Sequence, residues 1–152
     1  MAISIEDRLA IHDLYSTWCV TIDDGDAVAW ADTFTDDATF KLTTHPVEAI
    51  GRDAILEMGK SVYEHDQGLN RHLCYNILLT EDGDAIRGRA DAIVLELRTG
   101  GDVRIIKTSR YADRIVKGPK GWAFAERVMT WDTPHIPEQP EVEGVELLLS
   151  KN

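Results

Sequence analysis

The spacing of apolar residues changes along this chain, and that change constrains the fold more than any other feature of the sequence. From Ile5 to His65, apolar residues recur mainly at every third or fourth position, which is the period of an amphipathic helix. From His72 to Trp131, they lie in β-rich runs separated by the turns EDGD, GGD and GPKG. Helices followed by strands predict an α+β domain in which the helices pack on a sheet.

Three segments of the first part are predicted as helices: residues 5–22, 27–34 and 51–65. The first carries Tyr15, Trp18 and Ile22 on one apolar face, which a protein core would cover. A short strand, ATFKLT, is predicted between the second and third helices.

Four strands are predicted in the second part: residues 72–80, 85–99, 103–117 and 122–133. Because only short turns join them, we expect a meander in which each strand is antiparallel to the next. The tail from Thr133, with prolines at positions 134, 137 and 140, is expected to be irregular. Since no linker or internal repeat is visible, we expect a single domain over residues 1–152.

The net charge of the chain limits its partners. A charge of −11 would repel nucleic acids and anionic lipids, and no basic patch is visible to oppose it. No run approaches the roughly 18 consecutive apolar residues of a membrane-spanning helix. Glu6 and Asp7 interrupt the start before an apolar signal segment could form. We therefore predict a cytoplasmic protein that binds neither nucleic acid nor membrane.

Motifs typical of metal or nucleotide sites are missing from the sequence, including HExxH, paired CxxC, GxGxxG, a P-loop and a calcium loop. We therefore expect neither a metal nor a cofactor. Cys19 and Cys74 have no motif spacing and lie within apolar segments. This predicts two reduced core thiols rather than a disulfide.

Asp23 is unusual because it follows the last apolar residue of the first predicted helix, where the helix dipole disfavours a carboxylate. At about 100° per helical residue it falls at the edge of the buried face, whereas Asp24 projects away. A half-buried carboxylate at this place needs a cationic or hydrogen-bonding partner. The alternative is a solvated aspartate in a turn.

Among the five histidines, only His72 opens a predicted strand. Alternation in RHLCYNILL places Cys74 and Asn76 on the face of His72 and Ile77 on the opposite face. His72 is therefore the candidate partner of Asp23, and a purely structural strand histidine is the alternative.

Arg127 lies among small and apolar residues in the predicted strand WAFAERVMTW. Alternation groups it with Ala125 and Met129 and places Phe124 on the other face. Its charge would either form a salt bridge to a carboxylate of a neighbouring strand or act as a fixed cation in a cavity, able to hold an anion or a leaving group.

Four stretches, taken in order, resemble the SnoaL-like branch of the nuclear transport factor 2-like superfamily. They are IEDRLAIHDLYSTWCVTIDDGDAVAWADTFTDDATF, GRDAI, HLCYNILL and RYADRIVKGPKGWAFAERVMTW, and together they span nearly residues 3–132. The resemblance implies a cone of three helices against a curved, mostly antiparallel sheet that encloses a deep pocket. It also implies a homodimer or homotrimer. It implies less about activity, because this scaffold hosts dehydratases, isomerases, cyclases, hydrolases and binding proteins.

Within the superfamily, the chain is similar to lindane dehydrochlorinase and to bile-acid and scytalone dehydratases. That similarity implies that His72 is a catalytic base, that Asp23 orients it and that Arg127 is the arginine of the pocket. Trp18 stands where the dehydrochlorinase has a lysine, and an indole donates one hydrogen bond but supplies no cation. The expected pocket-lining residues are Trp18, Tyr15, Phe34, Met58, Met129 and Trp131.

The resulting prediction is a cofactor-independent, dehydratase-like lyase. It would abstract a carbon-bound proton and eliminate a β-leaving group from a small hydrophobic cyclic or polyketide-like substrate. A double-bond isomerase or cyclase with the same pocket is an alternative, and so is a non-enzymatic protein that binds small ligands. An open cavity at His72 would favour the enzyme, whereas a cavity filled by Trp18, Phe34 and Met129 would favour a structural role for these residues.

Overall fold

Helix α1 (Ile5–Asp23) begins after Ser4, whose hydroxyl oxygen accepts a hydrogen bond of 3.0 Å from the backbone N–H of Asp7. The computed structural model of the protein describes residues 3–132. Its other helices are α2 (Ala27–Ala31), which Asp26 caps, and α3 (Arg52–Asp66). None of the described helices combines the length and the apolar character that crossing a membrane requires.

The strands form one six-stranded sheet in the order β2-β1-β6-β5-β4-β3. Strands β3 to β6 are the antiparallel meander that the sequence predicts, and β1 lies parallel to β6. The helices pack on this sheet, so the α+β architecture is confirmed. The strand bounds are β1 (Phe34–Leu42), β2 (Val47–Ile50), β3 (Asn70–Asp82), β4 (Ala85–Leu97), β5 (Val103–Gly118) and β6 (Gly121–Trp131).

Two elements differ from the sequence prediction in the first part of the chain. Strand β2 was not expected, because its four residues are too few to show a period, and it forms by pairing with the end of β1. Helix α2 stops at Ala31 although the helical pattern was expected to reach Phe34. Phe34 instead begins β1 and is buried beside β6, so tertiary pairing overrides the local helical pattern. The irregular tail expected from Thr133 lies outside the described residues.

A β-bulge in β3 reverses part of the predicted alternation. The pairing with β4 shifts between Tyr75 and Leu78, and Asn76 has a φ of 53°. Asn76 is consequently exposed, where its amide donates to Asp91, while Ile77 packs against the core. The predicted faces of Asn76 and Ile77 were therefore wrong.

A second irregularity changes the faces of β6. The pairing with β5 shifts at Ala125, which is an extra residue between Phe124 and Glu126. Phe124 and Arg127 are therefore both fully buried, although alternation predicted opposite faces for them. This bulge brings an aromatic ring and a cation together in the interior.

Aromatic side chains fill the space between the helices and the sheet. Trp30 of α2 packs on Phe34 and Phe40 of β1 at ring-centroid distances of 5.3 and 6.4 Å. Trp18 of α1 lies 5.7 Å from Trp30, and all four rings are at most 5% exposed. This packing holds α1 on the sheet, so that its C-terminal end lies beside the start of β3.

Gly88 of β4 lies where the side chain of Tyr15 reaches the sheet. A Cβ at this position would collide with the Tyr15 hydroxyl and would stand 2.9 Å from Cδ1 of Ile115. Both neighbours are fully buried, and the Tyr15 hydroxyl is held by its hydrogen bond to Asp113, so neither can move without disturbing the core packing.

We predict that Gly88→Ala lowers the free energy of unfolding by about 1–3 kcal/mol, because overpacking forces buried side chains to shift. Gly118→Ala in β5 is the control, since its Cβ would meet the carbonyl oxygen of Gly121 at 3.8 Å, an ordinary contact distance. That control should change stability by less than about 0.5 kcal/mol. Urea denaturation of both variants measures the difference, and equal effects would contradict the prediction.

Candidate active site

The carboxylate of Asp23 at the end of α1 holds His72 near the start of β3. Asp23 Oδ1 lies 2.6 Å from Nδ1 of His72, and Asp23 Oδ2 accepts a hydrogen bond of 2.8 Å from the backbone N–H of His72. The Asp23 side chain is 8% exposed and that of His72 is 14% exposed. The next residue, Asp24, is exposed, as the helical geometry predicts. The hydrogen-bonding partner that a helix-end carboxylate requires is thus His72.

The two hydrogen bonds use both oxygens of the carboxylate, which fixes the imidazole in position and in tautomer. With Nδ1–H donated to Asp23, the lone pair of the neutral ring lies on Nε2. Within residues 3–132, Nε2 has no hydrogen-bonding partner. Trp18 supports the ring from the side, edge to face, with ring centroids 5.9 Å apart. This arrangement leaves one nitrogen free to accept a proton.

His72 borders two cavities. One has a volume of about 250 Å³ and lies between α1 and β3, where Tyr15, Cys19, Cys74 and Ile77 contribute to its lining. The other, about 10 Å³, lies on the α3 side and is lined by Asp23 among other residues. The larger cavity is close to the lower end of the roughly 300–1,000 Å³ range of ligand pockets. Arg127 lines neither of them.

Arg127 points into the interior, where it forms a salt bridge. Its Nε and one terminal nitrogen donate to Asp113 of β5 at 2.8 and 2.9 Å, and both side chains are 0% exposed. Tyr15 donates its hydroxyl to the same carboxylate at 2.5 Å. Burial alone would lower the pKa of Arg127, but the charge and hydrogen bonds of Asp113 outweigh it and raise the pKa above its usual range. The salt-bridge alternative from the sequence is therefore confirmed.

Four aromatic rings surround the guanidinium. Its central carbon lies 3.8 Å from the ring centroid of Phe124, 4.4 Å from that of Tyr111 and 4.6 Å from that of Trp18. Tyr15 is the fourth, at 5.1 Å. The remaining nitrogen, Nη1, is buried without a hydrogen-bonding partner among the described residues. Trp18 contacts both Arg127 and His72. Its indole therefore lies beside the space between these two residues, where a ligand was expected.

The six expected pocket-lining residues divide into three groups. Tyr15 is fully buried but contributes to the lining of the larger cavity beside His72, whereas Trp18 and Phe34 are buried in the core and line neither cavity. The remaining three are half-buried: Met58 and Met129 pack against the core, and Trp131 contacts His45 and Lys107 near the end of β6.

Asp113 was not identified from the sequence as a neighbour of the candidate site, and the contact between Cys19 and Cys74 was not expected. Asp113 could have been found, because it shares a strand face with the apolar residues Tyr111 and Ile115 and is therefore predicted to be buried. Cys19 and Cys74 were placed in the core, but nothing in their spacing indicates that their sulfur atoms lie 3.4 Å apart.

Comparisons with known proteins agree with this fold. The profile of the SnoaL-like domain matches residues 4–128 of the chain. A similar solved structure is a nuclear transport factor 2-like protein with a cystatin-like fold from Novosphingobium aromaticivorans (22% identity, 86% of this chain and 86% of that chain covered, TM-score 0.74). No curated protein matches the chain in sequence.

Two further structures are similar to the chain. One is Rv3472, a protein of unknown function from Mycobacterium tuberculosis (28% identity, 87% of this chain and 78% of that chain covered, TM-score 0.71). The other is ActVI-ORFA from Streptomyces coelicolor (21% identity, 82% of this chain and 96% of that chain covered, TM-score 0.74). The nuclear transport factor 2-like fold expected from the resemblance is confirmed.

We predict that Arg127→Met lowers the free energy of unfolding by about 3–5 kcal/mol, because the carboxylate of Asp113 would stay buried without its cation. The double variant Asp113→Asn/Arg127→Met should recover part of this loss, since it leaves no uncompensated charge and keeps an acceptor for Tyr15.

The control for the buried pair is Arg110→Met, which breaks an exposed ion pair to Asp132 of 3.0 Å. This change should cost less than about 1 kcal/mol. Urea denaturation compares the three proteins with the parent. A single Arg127→Met variant no less stable than Arg110→Met would show that the buried pair is not needed for the fold.

Proposed function

Because the chain belongs to the SnoaL-like domain family, we propose that it is a cofactor-independent, dehydratase-like lyase in which His72 is the base and Asp23 orients it. The substrate class is a small hydrophobic cyclic or polyketide-like compound with a carbonyl group. Such a compound carries an acidic C–H next to the carbonyl and a hydroxyl in the β position.

The observation that carries the proposal is the pair of hydrogen bonds that His72 donates to Asp23. It uses the ring N–H and the backbone N–H of the same residue, so the base is held at both its side chain and its main chain. A carboxylate at this place keeps the neutral ring in the tautomer with a basic Nε2, and it stabilises the imidazolium that forms when Nε2 takes a proton.

The elimination requires only Asp23 and His72. Nε2 of His72 accepts the proton from carbon, the C–H electron pair becomes the new double bond, and the bond to the β oxygen breaks. The imidazolium then returns the proton to the departing oxygen, so that water leaves and His72 is neutral again. General-base catalysis of this kind contributes roughly 100-fold to 10,000-fold, which suits a C–H that is already acidic.

Arg127 is proposed to have a secondary role in this reaction. Asp113 neutralises most of its charge, so its contribution is confined to Nη1, which could donate to the developing enolate or leaving oxygen. A substrate that reached both His72 and Nη1 would have to displace the indole of Trp18, which contacts both.

The same base could move a double bond or close a ring, because these reactions begin with the same proton abstraction. A non-enzymatic binding protein is the other candidate, and one observation favours it: Trp18 and Phe34 fill the interior that a large substrate would occupy. The cavity that His72 borders favours the enzyme, since a small compound bound there would lie next to the proposed base.

We also propose a homodimer or homotrimer. The observation that supports it is the row of exposed apolar side chains on the outer face of β3, where Leu73 is 46% exposed and Leu78 is 64% exposed.

We predict that His72→Ala and His72→Gln lower turnover by about 100-fold to 10,000-fold and reduce the melting temperature only slightly. Asp23→Asn should lose almost as much activity, because an amide can orient the imidazole but does not stabilise its positive charge. Asp24→Asn is the matched control, since this neighbouring carboxylate is exposed and should be dispensable for turnover.

The substrate for these assays comes from mass-spectrometric screening of hydroxylated and carbonyl-bearing cyclic compounds with the parent protein. Trp18→Ala provides the comparison for stability, because truncating this buried ring should cost about 3–5 kcal/mol. The binding-protein alternative becomes the better account if His72→Ala keeps its activity and loses as much stability as Trp18→Ala.

A further inference from the structure

The fold brings the two cysteines of the chain together. Cys19 lies on α1 and Cys74 on β3, 55 positions apart in sequence, and their sulfur atoms are 3.4 Å apart. The thiol of Cys19 donates a weak hydrogen bond to the sulfur of Cys74. Both are reduced, and a disulfide of about 2.05 Å would need the sulfur atoms to approach by only about 1.4 Å.

The pair is also reachable by a small molecule. Cys19 is 7% exposed and Cys74 is half-buried. Both line the cavity of about 250 Å³ that His72 borders, and this cavity lies where α1 covers the edge strand β3. A hydroperoxide as small as hydrogen peroxide fits such a space, whereas a peptide disulfide is far larger.

We propose that Cys19 and Cys74 form a redox modification site, which hydrogen peroxide converts into a disulfide that links α1 to β3. This inference concerns the thiols alone and goes beyond the proposed function. The structure has both cysteines as free thiols, as the sequence predicts, and the proposal concerns what their contact allows.

Cys74 is the residue that reacts with the peroxide. The hydrogen bond from Cys19 lowers the pKa of Cys74, and the positive charge of Arg127 acts in the same direction, while burial opposes them. Cys74 is also the less buried of the two, so hydrogen peroxide reaches its sulfur more readily than that of Cys19.

Hydrogen peroxide is the only other reactant that the oxidation of the two thiols requires. The thiolate of Cys74 attacks one oxygen of hydrogen peroxide, the O–O bond breaks, and hydroxide leaves as Cys74 becomes a sulfenic acid. Cys19 then attacks the sulfur of the sulfenic acid, the S–O bond breaks, and the S–S bond forms. Two thiols and one peroxide thus give one disulfide and two molecules of water.

The disulfide would change the cavity at His72. Cys74 is two residues from His72 on the same strand, and Cys19 is four residues before Asp23 on the same helix. A covalent bond between the sulfur atoms draws the two walls of the cavity together, so a compound that binds beside His72 should lose access. Because the bond closes a loop of more than 50 residues, it should also raise the melting temperature, by roughly 5–10 °C.

The test treats the reduced protein with hydrogen peroxide at a small molar excess and measures its intact mass. The expected product is monomeric and lighter by two hydrogen atoms, and peptide mapping joins the segments that contain Cys19 and Cys74. Free-thiol titration should fall from two groups to none, and dithiothreitol should reverse both the mass change and the rise in melting temperature.

Two variants separate the steps. Cys19→Ser should stop at the sulfenic acid, seen as a gain of one oxygen atom and trapped by dimedone, whereas Cys74→Ser should react far more slowly. The proposal is overturned if the parent protein keeps both thiols, if it forms a disulfide between two chains, or if Cys74→Ser reacts as fast as Cys19→Ser. None of these readouts depends on turnover, so failure of the proposed function would leave them unchanged.

Discussion

The burial of one guanidinium imposes the arrangement of the protein interior. Arg127 is fully buried, and a charge without water requires a partner of opposite sign. Asp113 supplies it from the position directly opposite on β5, and Tyr15 of α1 donates to the same carboxylate. The ion pair therefore joins two strands and a helix. The aromatic rings pack around it, and β4 has a glycine where Tyr15 needs space.

A second link holds the other end of α1. Tyr15 and Asp23 are eight residues apart, which is about 12 Å along a helix, and each binds a polar group of the sheet. Trp18 and Cys19 lie between these two points. Trp18 contacts His72 of β3, Tyr111 of β5 and Arg127 of β6. Cys19 contacts Cys74 of β3. The position of the candidate base and the approach of the two thiols thus have one cause, which is the fixed path of α1 over the edge of the sheet.

Under the proposed function, the chemistry depends more on the base than on the cation. Nε2 of His72 has no hydrogen-bonding partner among the described residues, and His72 borders a cavity. In contrast, Asp113 compensates the charge of Arg127, and aromatic rings cover its faces. A site of this kind suits a substrate whose C–H is already acidic. The reason is that Arg127, paired with Asp113, can stabilise little of the negative charge that forms on the substrate. Cys19 and Cys74 line the same cavity, one from α1 and one from β3, so the proposed disulfide would connect the access of a ligand to His72 with the redox state of the thiols.

The sequence by itself determined the helices, the four-stranded meander and the unusual character of Asp23, His72 and Arg127. These properties depend on neighbours within a few residues, since helix and strand periods are local and a carboxylate at a helix end is disfavoured wherever the helix packs. The pairing of Asp23 with His72 could be expected from the family resemblance, which supplied the spatial information that periodicity lacks.

Only the tertiary structure decided the remaining features. The bulges at Asn76 and Ala125, the strand β2, the compensation of Arg127 by Asp113 and the contact between Cys19 and Cys74 all involve chain segments that meet through the fold. Each depends on the register between strands or on the path of a helix over the sheet. A shift of one residue in register turns a side chain to the opposite face while the local sequence stays the same, so the sequence pattern alone could not reveal them.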